Sequence, residues 1–246
     1  MRAAVISDIH SNLPALEAVV ESIDAAGVEE IWCLGDVVGY GAQPDACAEL
    51  IRERCAICLV GNHDLAVLGG LDTSSFSETA AEAVAWTVAN IAEPTLEFLR
   101  DLEPTGQRQG IGLFHASPRD PVWEYVLSTE QAEDCLAVQP ERISLIGHSH
   151  VALYFSKPDD AGSDSTRGAQ MSDGALLDVA DGSWLLNPGS VGQPRDGDPR
   201  AAWLELDTEE ETALFHRLPY DIERAAASIV AAGLPGHLAT RLQSGQ

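Results

Sequence analysis

An α/β architecture is what this 246-residue sequence predicts, and two observations carry the prediction. Short apolar runs alternate with segments whose apolar residues recur every three or four positions, and most of the apolar runs end in a cluster of polar, chemistry-bearing side chains. Strands alternating with helices build right-handed βαβ units around a parallel sheet, whose ligand site lies beyond the carboxyl ends of the strands.

The elements follow in order. Residues 3–6 (AAVI) read as a buried strand ending at Ser7-Asp8-Ile9-His10-Ser11-Asn12. Asn12 is suited to cap a helix, Pro14 is tolerated in its first turn, and Leu16, Val19, Val20 and Ile23 recur at helical spacing. Residues 30–34 (EIWCL) predict a strand running into Gly35-Asp36, and residues 44–54 a helix. A third strand, residues 56–60 (AICLV), delivers Gly61-Asn62-His63-Asp64. Residues 65–77 are Gly- and Ser-rich, and a loop over the site is expected there. Thr79-Ala80-Ala81-Glu82 has the spacing of a capping box opening a helix to about residue 91, and Pro94 starts a second through residue 102. Val84, Trp86, Val88, Ile91, Phe98 and Leu99 are assigned to the core.

The strand at residues 110–114 ends in His115-Ala116-Ser117-Pro118-Arg119. A helix over 129–138 leads to a strand at 142–146 that ends in Gly147-His148-Ser149-His150. Residues 151–155 form another strand, and the polar stretch 157–174 reads as a flexible hairpin tip because strand-like residues resume at Ala175. Strands at 183–186 and 201–206 flank the sequence NPGSVGQPR, and helices close the chain from 221. A single domain over 1–246 is expected, with a helical insert at 65–105 near the site and C-terminal helices at 221–246.

The chain carries 14 basic and 39 acidic residues, a net charge of −25, which argues against a nucleic-acid duplex or an anionic membrane as partner. No apolar run approaches the roughly 20 residues of a membrane helix, and the N-terminus lacks the pattern of a signal peptide, so a cytoplasmic protein is expected. Oligomeric state is left open. Five cysteines are an odd number. Cys55-x-x-Cys58 has a redox or zinc spacing, but a strand would point the two to opposite faces, so buried structural thiols are expected.

The strand ends collect Asp8, His10, Asp36, Asn62, His63, His115, His148 and His150, which include five of the seven histidines. Two spaced pairs, Asp8 with His10 and His148 with His150, leave their strands toward one side. Mixed carboxylate and imidazole donors suit Mn, Fe, Co or Zn better than Ca or Mg alone. The donors outnumber what one ion takes, so two divalent ions sharing a bridging carboxylate are the economical reading. Such ions lie about 3.5–4 Å apart and clamp the oxygens of a phosphoryl displacement. They would also create a local positive field for an anionic substrate inside an acidic protein.

The order of these motifs, Asp8-Ile9-His10, Gly35-Asp36, Gly61-Asn62-His63-Asp64, His115 and Gly147-His148-Ser149-His150, resembles the calcineurin-like metallophosphoesterases over about residues 1–206. The NPGSVGQPR stretch, followed by Asp196-Gly197-Asp198, looks like the small prokaryotic phosphodiesterase-type branch. The resemblance implies a four-layer α-β-β-α sandwich of mixed sheets with a dinuclear metal site at the carboxyl edge of the strands. It implies one ion on Asp8, His10, Asp36 and His150, and another on Asp36, Asn62, His115 and His148, with Mn, Zn, Fe, Co or Mg as candidate metals. His63 would then contact the phosphate and protonate the leaving oxygen, Asp64 would orient it, and Asn62 would help meet charge on the phosphoryl oxygens.

The implied function is hydrolysis of a small phosphorylated substrate, a phosphodiester or phosphomonoester, by in-line attack of a metal-bridging hydroxide. A dinucleoside polyphosphate is the alternative substrate. A non-catalytic binding scaffold, as in a retromer subunit that resembles this fold, is disfavoured by the complete ligand set. Arg119 and Arg195, with Arg200, stand in loops that could reach a second phosphate or a nucleoside; the competing reading pairs them with Asp120, Asp196 and Asp198.

Overall fold

The computed structural model describes residues 1–159 and 165–246. Among them are twelve strands: β1 (Arg2–Ile6), β2 (Glu30–Cys33), β3 (Ile57–Cys58), β4 (Thr105–Arg108), β5 (Ile111–Phe114), β6 (Ile143–Ile146), β7 (Ala152–Lys157), β8 (Arg167–Gln170), β9 (Leu176–Asp178), β10 (Ser183–Pro188), β11 (Ala201–Asp207) and β12 (Thr212–Leu218). They form two six-stranded sheets, in the orders β3-β2-β1-β11-β12-β9 and β4-β5-β6-β10-β7-β8. Parallel pairing is confined to β1, β2 and β3 in the first sheet and to β5, β6 and β10 in the second. The sheets are therefore mixed, and the purely parallel sheet that strand–helix alternation suggests is corrected by the antiparallel partners added from the second half of the chain.

Four layers follow from where alternate side chains go. In β1, Ala4 and Ile6 face α1 (Leu13–Ala26) and α2 (Pro44–Arg54), while Ala3 and Val5 enter the core between the sheets with Leu113, Leu145 and Leu186. On the far side, Ile146, Leu153, Phe155 and Leu185 pack against Ala132 and Cys135 of a later helix, residues 129–136. A strand covered on both faces needs apolar residues at every position, which is why these strands read as unbroken apolar runs.

Helices α3 (Asn62–Val67), α4 (Glu78–Asn90) and α5 (Glu93–Arg100) fill the stretch between the third strand and β4, ahead of α6 (Thr129–Leu136), α7 (Ile222–Ala231) and α8 (Gly236–Arg241). The loop expected from residue 65 is thus helical to Val67. The cap of α4 is Ser77, whose hydroxyl accepts from the Ala80 amide, two residues before the expected Thr79. Val88, assigned to the core, is 52% exposed because it lies on the outer face of α4.

Three strands escape sequence reading. The β4 and β8 strands are short edge strands with largely exposed residues, and β12 alternates correctly but places Arg217 at a buried position, paired with Asp196. Lys157–Gly174, expected to be a flexible hairpin tip, contains β8, which pairs antiparallel with β7, and its residues 160–164 lie outside the described residues. Cys55 is the C-cap of α2, not a strand residue, so Cys55 and Cys58 pack on the same core as Cys33 instead of facing apart. All five cysteines are free thiols.

Candidate metal centre

The first sheet delivers Asp8 just past β1, Asp36 past β2 and Asn62 past β3, and the second delivers His115 past β5 and His148 and His150 past β6. Each strand releases its chain through a tight turn. Asp8, His10, Asp36, His148 and His150 all hold left-handed backbone, with φ of 55°, 49°, 53°, 63° and 59°. This conformation is sterically costly for residues with a Cβ, and Asp and His visit it more than most. Five costly residues in three loops persist at one edge because hydrogen bonds between the loops hold them, including Ile9 N to Asp36 O at 2.9 Å and Gly147 N to His115 O at 2.8 Å. Asp8 and His10 therefore converge through left-handed turns, not through the extended geometry that their spacing suggests.

Two groups of ligand atoms result. Asp8, His10, Asp36 and His150 form one, and Asp36, His115 and His148 the other, with the ligand atoms of each within 4.8 Å of one another. Asp36 belongs to both. Its Oδ2 lies 3.5 Å from His10 Nε2 and its Oδ1 3.7 Å from His115 Nε2. Asn62 joins the second group, its Oδ1 being 3.1 Å from His115 Nε2.

Whether cations fit is decided by the leftover hydrogen-bonding capacity. His10 Nδ1 donates to Val38 O at 3.1 Å, His115 Nδ1 to Leu34 O at 2.9 Å and His150 Nδ1 to Gln193 O at 2.6 Å. The tautomers assigned from these bonds leave bare Nε2 lone pairs turned inward, as ligands require. His10 Nε2 and His150 Nε2 then face each other at 3.1 Å with no proton to share. Asp8 Oδ1, Asp36 Oδ2 and His148 Nε2 are buried without a hydrogen-bond partner. Buried acceptors that face one another are costly unless a cation lies among them, so the residues present fit two divalent ions of the N/O-preferring kind.

The electrostatics agree. Burial pushes Asp8 up to about 7 from the usual carboxylate value. Asp36 is raised well above that range, first by burial and then by the neighbouring charge of Asp64. Burial also holds His10, His63, His148 and His150 well below the ordinary imidazole value, so these rings stay neutral. Burying neutral imidazoles with carboxylates that resist ionisation makes a site whose charge is completed from outside.

His63 sits beside the groups, its ring 4.9 Å from that of His10 and 4.4 Å from that of Tyr40, with Nδ1 unpartnered. The expectation that Asp64 orients His63 is corrected: its carboxylate accepts from the main-chain amides of Val37 (3.2 Å), Val38 (2.9 Å) and Gly61 (2.9 Å), so both oxygens are engaged in tying α3 to the loop after β2. Asp36 Oδ1 accepts from the His63 amide at 2.8 Å, which fixes the start of α3 against the aspartate common to both groups.

The arginines separate. Arg119 is 2.5 Å from Asp134 and 3.5 Å from Glu124, and Arg200 pairs with Asp198 and Asp173, so both are engaged in surface ion pairs, although Arg119 does not pair with Asp120. Asp196 pairs with Arg217 instead of Arg195. Arg195 makes no ion pair among the described residues: it bonds Gln193 Oε1 at 3.0 Å and the Tyr40 hydroxyl at 3.3 Å, and its Nε is buried without a partner. Its charge contributes to lowering all four of those histidines.

Sequence reading leaves several residues of the site unassigned. Asn187 binds Gly147 O at 2.8 Å, Ser190 Oγ binds Asp8 O at 2.7 Å, and Gln193 O holds His150, so the NPGSVGQ segment clamps both ligand loops from behind. A Cβ on Gly192 would lie 1.8 Å from Ile9 O, a signal the glycine alone does not reveal. Tyr40 gave no signal because nothing distinguishes a lone tyrosine in the loop after β2.

Buried imidazoles and carboxylates grouped around a shared aspartate are the equipment of a metal-dependent hydrolase. The family model of the calcineurin-like phosphoesterase superfamily domain matches residues 1–209, and the chain belongs to that superfamily. An uncharacterized protein of Methanocaldococcus jannaschii is 38% identical over 99% of this chain and 98% of its own length. The crystal structure of a metallophosphoesterase from Sphaerobacter thermophilus is similar with a TM-score of 0.90 and 39% identity, covering 100% of this chain and 99% of that one. A hypothetical protein of Pyrococcus horikoshii OT3 shares the fold with a TM-score of 0.79 and 19% identity, covering 100% and 98%. The chain is thus a metallophosphoesterase, a hydrolase of phosphate esters. No helix among the described residues is long and apolar enough to cross a membrane.

Proposed function

We propose that this chain, working as one domain, hydrolyses small phosphodiesters or phosphomonoesters at a dinuclear centre in which Asp36 bridges the two ions. The observation that carries the proposal is the membership of Asp36 in both ligand groups. Asp8, His10, Asp36 and His150 would hold one ion, and Asp36, Asn62, His115 and His148 the other. Two divalent ions held there supply Lewis-acid charge and lower the pKa of water toward neutrality. Mn, Zn, Fe, Co and Mg are the candidates.

The chain's own residues do the rest. Asn62 and His63, buried at the start of α3, would offer donors to phosphoryl oxygens. His63 is neutral at rest because burial and Arg195 oppose its charge. An entering anionic phosphate offsets that penalty, so the imidazolium forms where a leaving oxygen needs a proton. Arg195, without a carboxylate partner and resting on the Tyr40 ring at 5.7 Å, would meet phosphate charge. Asp64 serves as a positioning residue for α3, and Arg119 is the weaker candidate for substrate contact because Asp134 already holds it.

A second reading, a dinucleoside polyphosphate as substrate, is favoured by Arg195, whose guanidinium has no carboxylate partner and whose buried Nε has no partner at all, a lack that a phosphate beyond the scissile one could satisfy. The test is turnover of bis(p-nitrophenyl) phosphate by metal-free protein supplied with Mn. Hydrolysis that depends on the metal supports the proposal, and none above buffer removes it.

A further inference from the structure

Beside the candidate metal centre lie aromatic side chains that the proposed chemistry does not require, one of which, Phe76, also packs against the core. Phe76, from the connection between α3 and α4, sets its ring perpendicular to His63 at 5.0 Å between centroids. Trp123, from the loop between β5 and α6, lies edge-on to Phe76 at 5.2 Å and 6.4 Å from the ring of His148. Tyr125, two residues on, stacks on His148 at 4.1 Å with 15° between planes and is 42% exposed. The three rings span from His63 to His148, that is, from the proposed proton donor to the second ligand group. Phe76 and Trp123 are half-buried, so part of each ring faces solvent.

Half-exposed aromatic rings at the mouth of a polar site leave apolar area in water that a ligand can cover. Two loops distant in sequence contribute, those carrying Phe76 and Trp123.

Resting on the phosphoesterase reading, we infer that Phe76, Trp123 and Tyr125 form a base-stacking subsite, so that the substrate is a phosphate ester of a nucleoside. Flat heteroaromatic bases stack on such rings whatever their hydrogen-bonding edges. An alkyl or sugar phosphate would leave the rings uncovered. Arg195, beside Tyr40, would stay with the phosphate and not with the base.

The experiment compares adenosine 5′-monophosphate with ribose 5-phosphate as competitive inhibitors of bis(p-nitrophenyl) phosphate hydrolysis by the Mn-loaded full chain. The two ligands present the same phosphate and sugar, so the difference isolates the base. Stacking on one or two rings predicts that the nucleotide binds about 10-fold tighter, and at least about 5-fold. Trp123→Ala should raise its inhibition constant about 5-fold or more while that of ribose 5-phosphate and the metal content stay put, and Trp123→Phe should retain most of the preference. The main chain of Trp123, which holds His148, is kept in both variants. Tryptophan fluorescence quenched by the nucleotide, and not by ribose 5-phosphate, should vanish in Trp123→Phe. Equal inhibition constants for the two ligands in a protein that hydrolyses the reporter overturn the subsite and leave the phosphoesterase reading intact. Trp123→Ala weakening both ligands equally assigns Trp123 to positioning His148 and overturns it too. Absence of metal-dependent hydrolysis overturns both.

Discussion

Asp36→Asn separates metal bridging from folding more cleanly than any other single change. The amide keeps the volume of a fully buried side chain and can still accept from the His63 amide, now 2.8 Å from Oδ1. Its NH2 group would stand where Oδ2 has no partner and could donate to the bare Nε2 of His10, 3.5 Å away. The metal-free variant should therefore be as stable as the parent or more so, since a carboxylate whose ionisation is opposed by burial and Asp64 has been removed. Metal binding should move the other way. Unit charges about 4 Å apart attract by about 4 kcal/mol at an effective dielectric of 20, and this charge faces two dications. A loss of at least ~3 kcal/mol corresponds to roughly 100-fold in affinity. Calorimetric titration with Mn at pH 8, with melting curves of the metal-free and metal-loaded forms, reads both effects. A variant that still binds two ions within about 3-fold of the parent affinity would refute the bridging role, since about 100-fold is required.

His63→Ala should leave metal stoichiometry intact and lower turnover by roughly 100-fold or more, with the deficit shrinking as the leaving group becomes more acidic. A uniform deficit across leaving groups would exclude proton donation. In Gly61→Ala the new Cβ would stand 2.1 Å from Asp36 Oδ1 and 2.5 Å from its amide nitrogen. Metal affinity should fall by at least about 10-fold because the bridging carboxylate must move, and unchanged titration curves would mean that the loop relaxes. The stabilisation conferred by Mn should grow with pH. Asp8 has a folded-state pKa of about 7, so the metal-free fold, as far as this group is concerned, loses stability as pH rises from about 4 through 7, and metal binding reverses that loss. The buried histidines, with lowered folded-state pKa, act oppositely and cost stability as pH drops below about 6.5, the unfolded value. The Tm increase on adding Mn should thus be larger at pH 8 than at pH 6, and an equal increase at both would contradict the assigned protonation.

The convergence of the candidate ligands was legible because the chemistry is unusual where it occurs: imidazoles and carboxylates right after apolar strands have few structural uses, and a βαβ pattern sends strand ends to one edge. Their geometry was not legible. Left-handed backbone at Asp8, His10 and Asp36 is imposed by hydrogen bonds between loops, which leave no local trace in the sequence. Asp64 shows the complementary failure. Its adjacency to His63 suggested a catalytic pair, but a helix start turns consecutive side chains apart, and the carboxylate caps α3. Edge strands such as β4 and β8 were missed because exposed residues carry no burial pattern. The NPGSVGQ segment was legible as a motif and not as a clamp, because its partners lie far away in sequence.

The most direct test of a shared aspartate is anomalous diffraction at the Mn edge from crystals of the Mn-loaded protein. Two peaks about 3.5–4 Å apart, one among Asp8, His10 and His150 and the other among Asn62, His115 and His148, with Asp36 between them, is the result this account predicts. A single peak, or two whose ligands exclude Asp36, would contradict it.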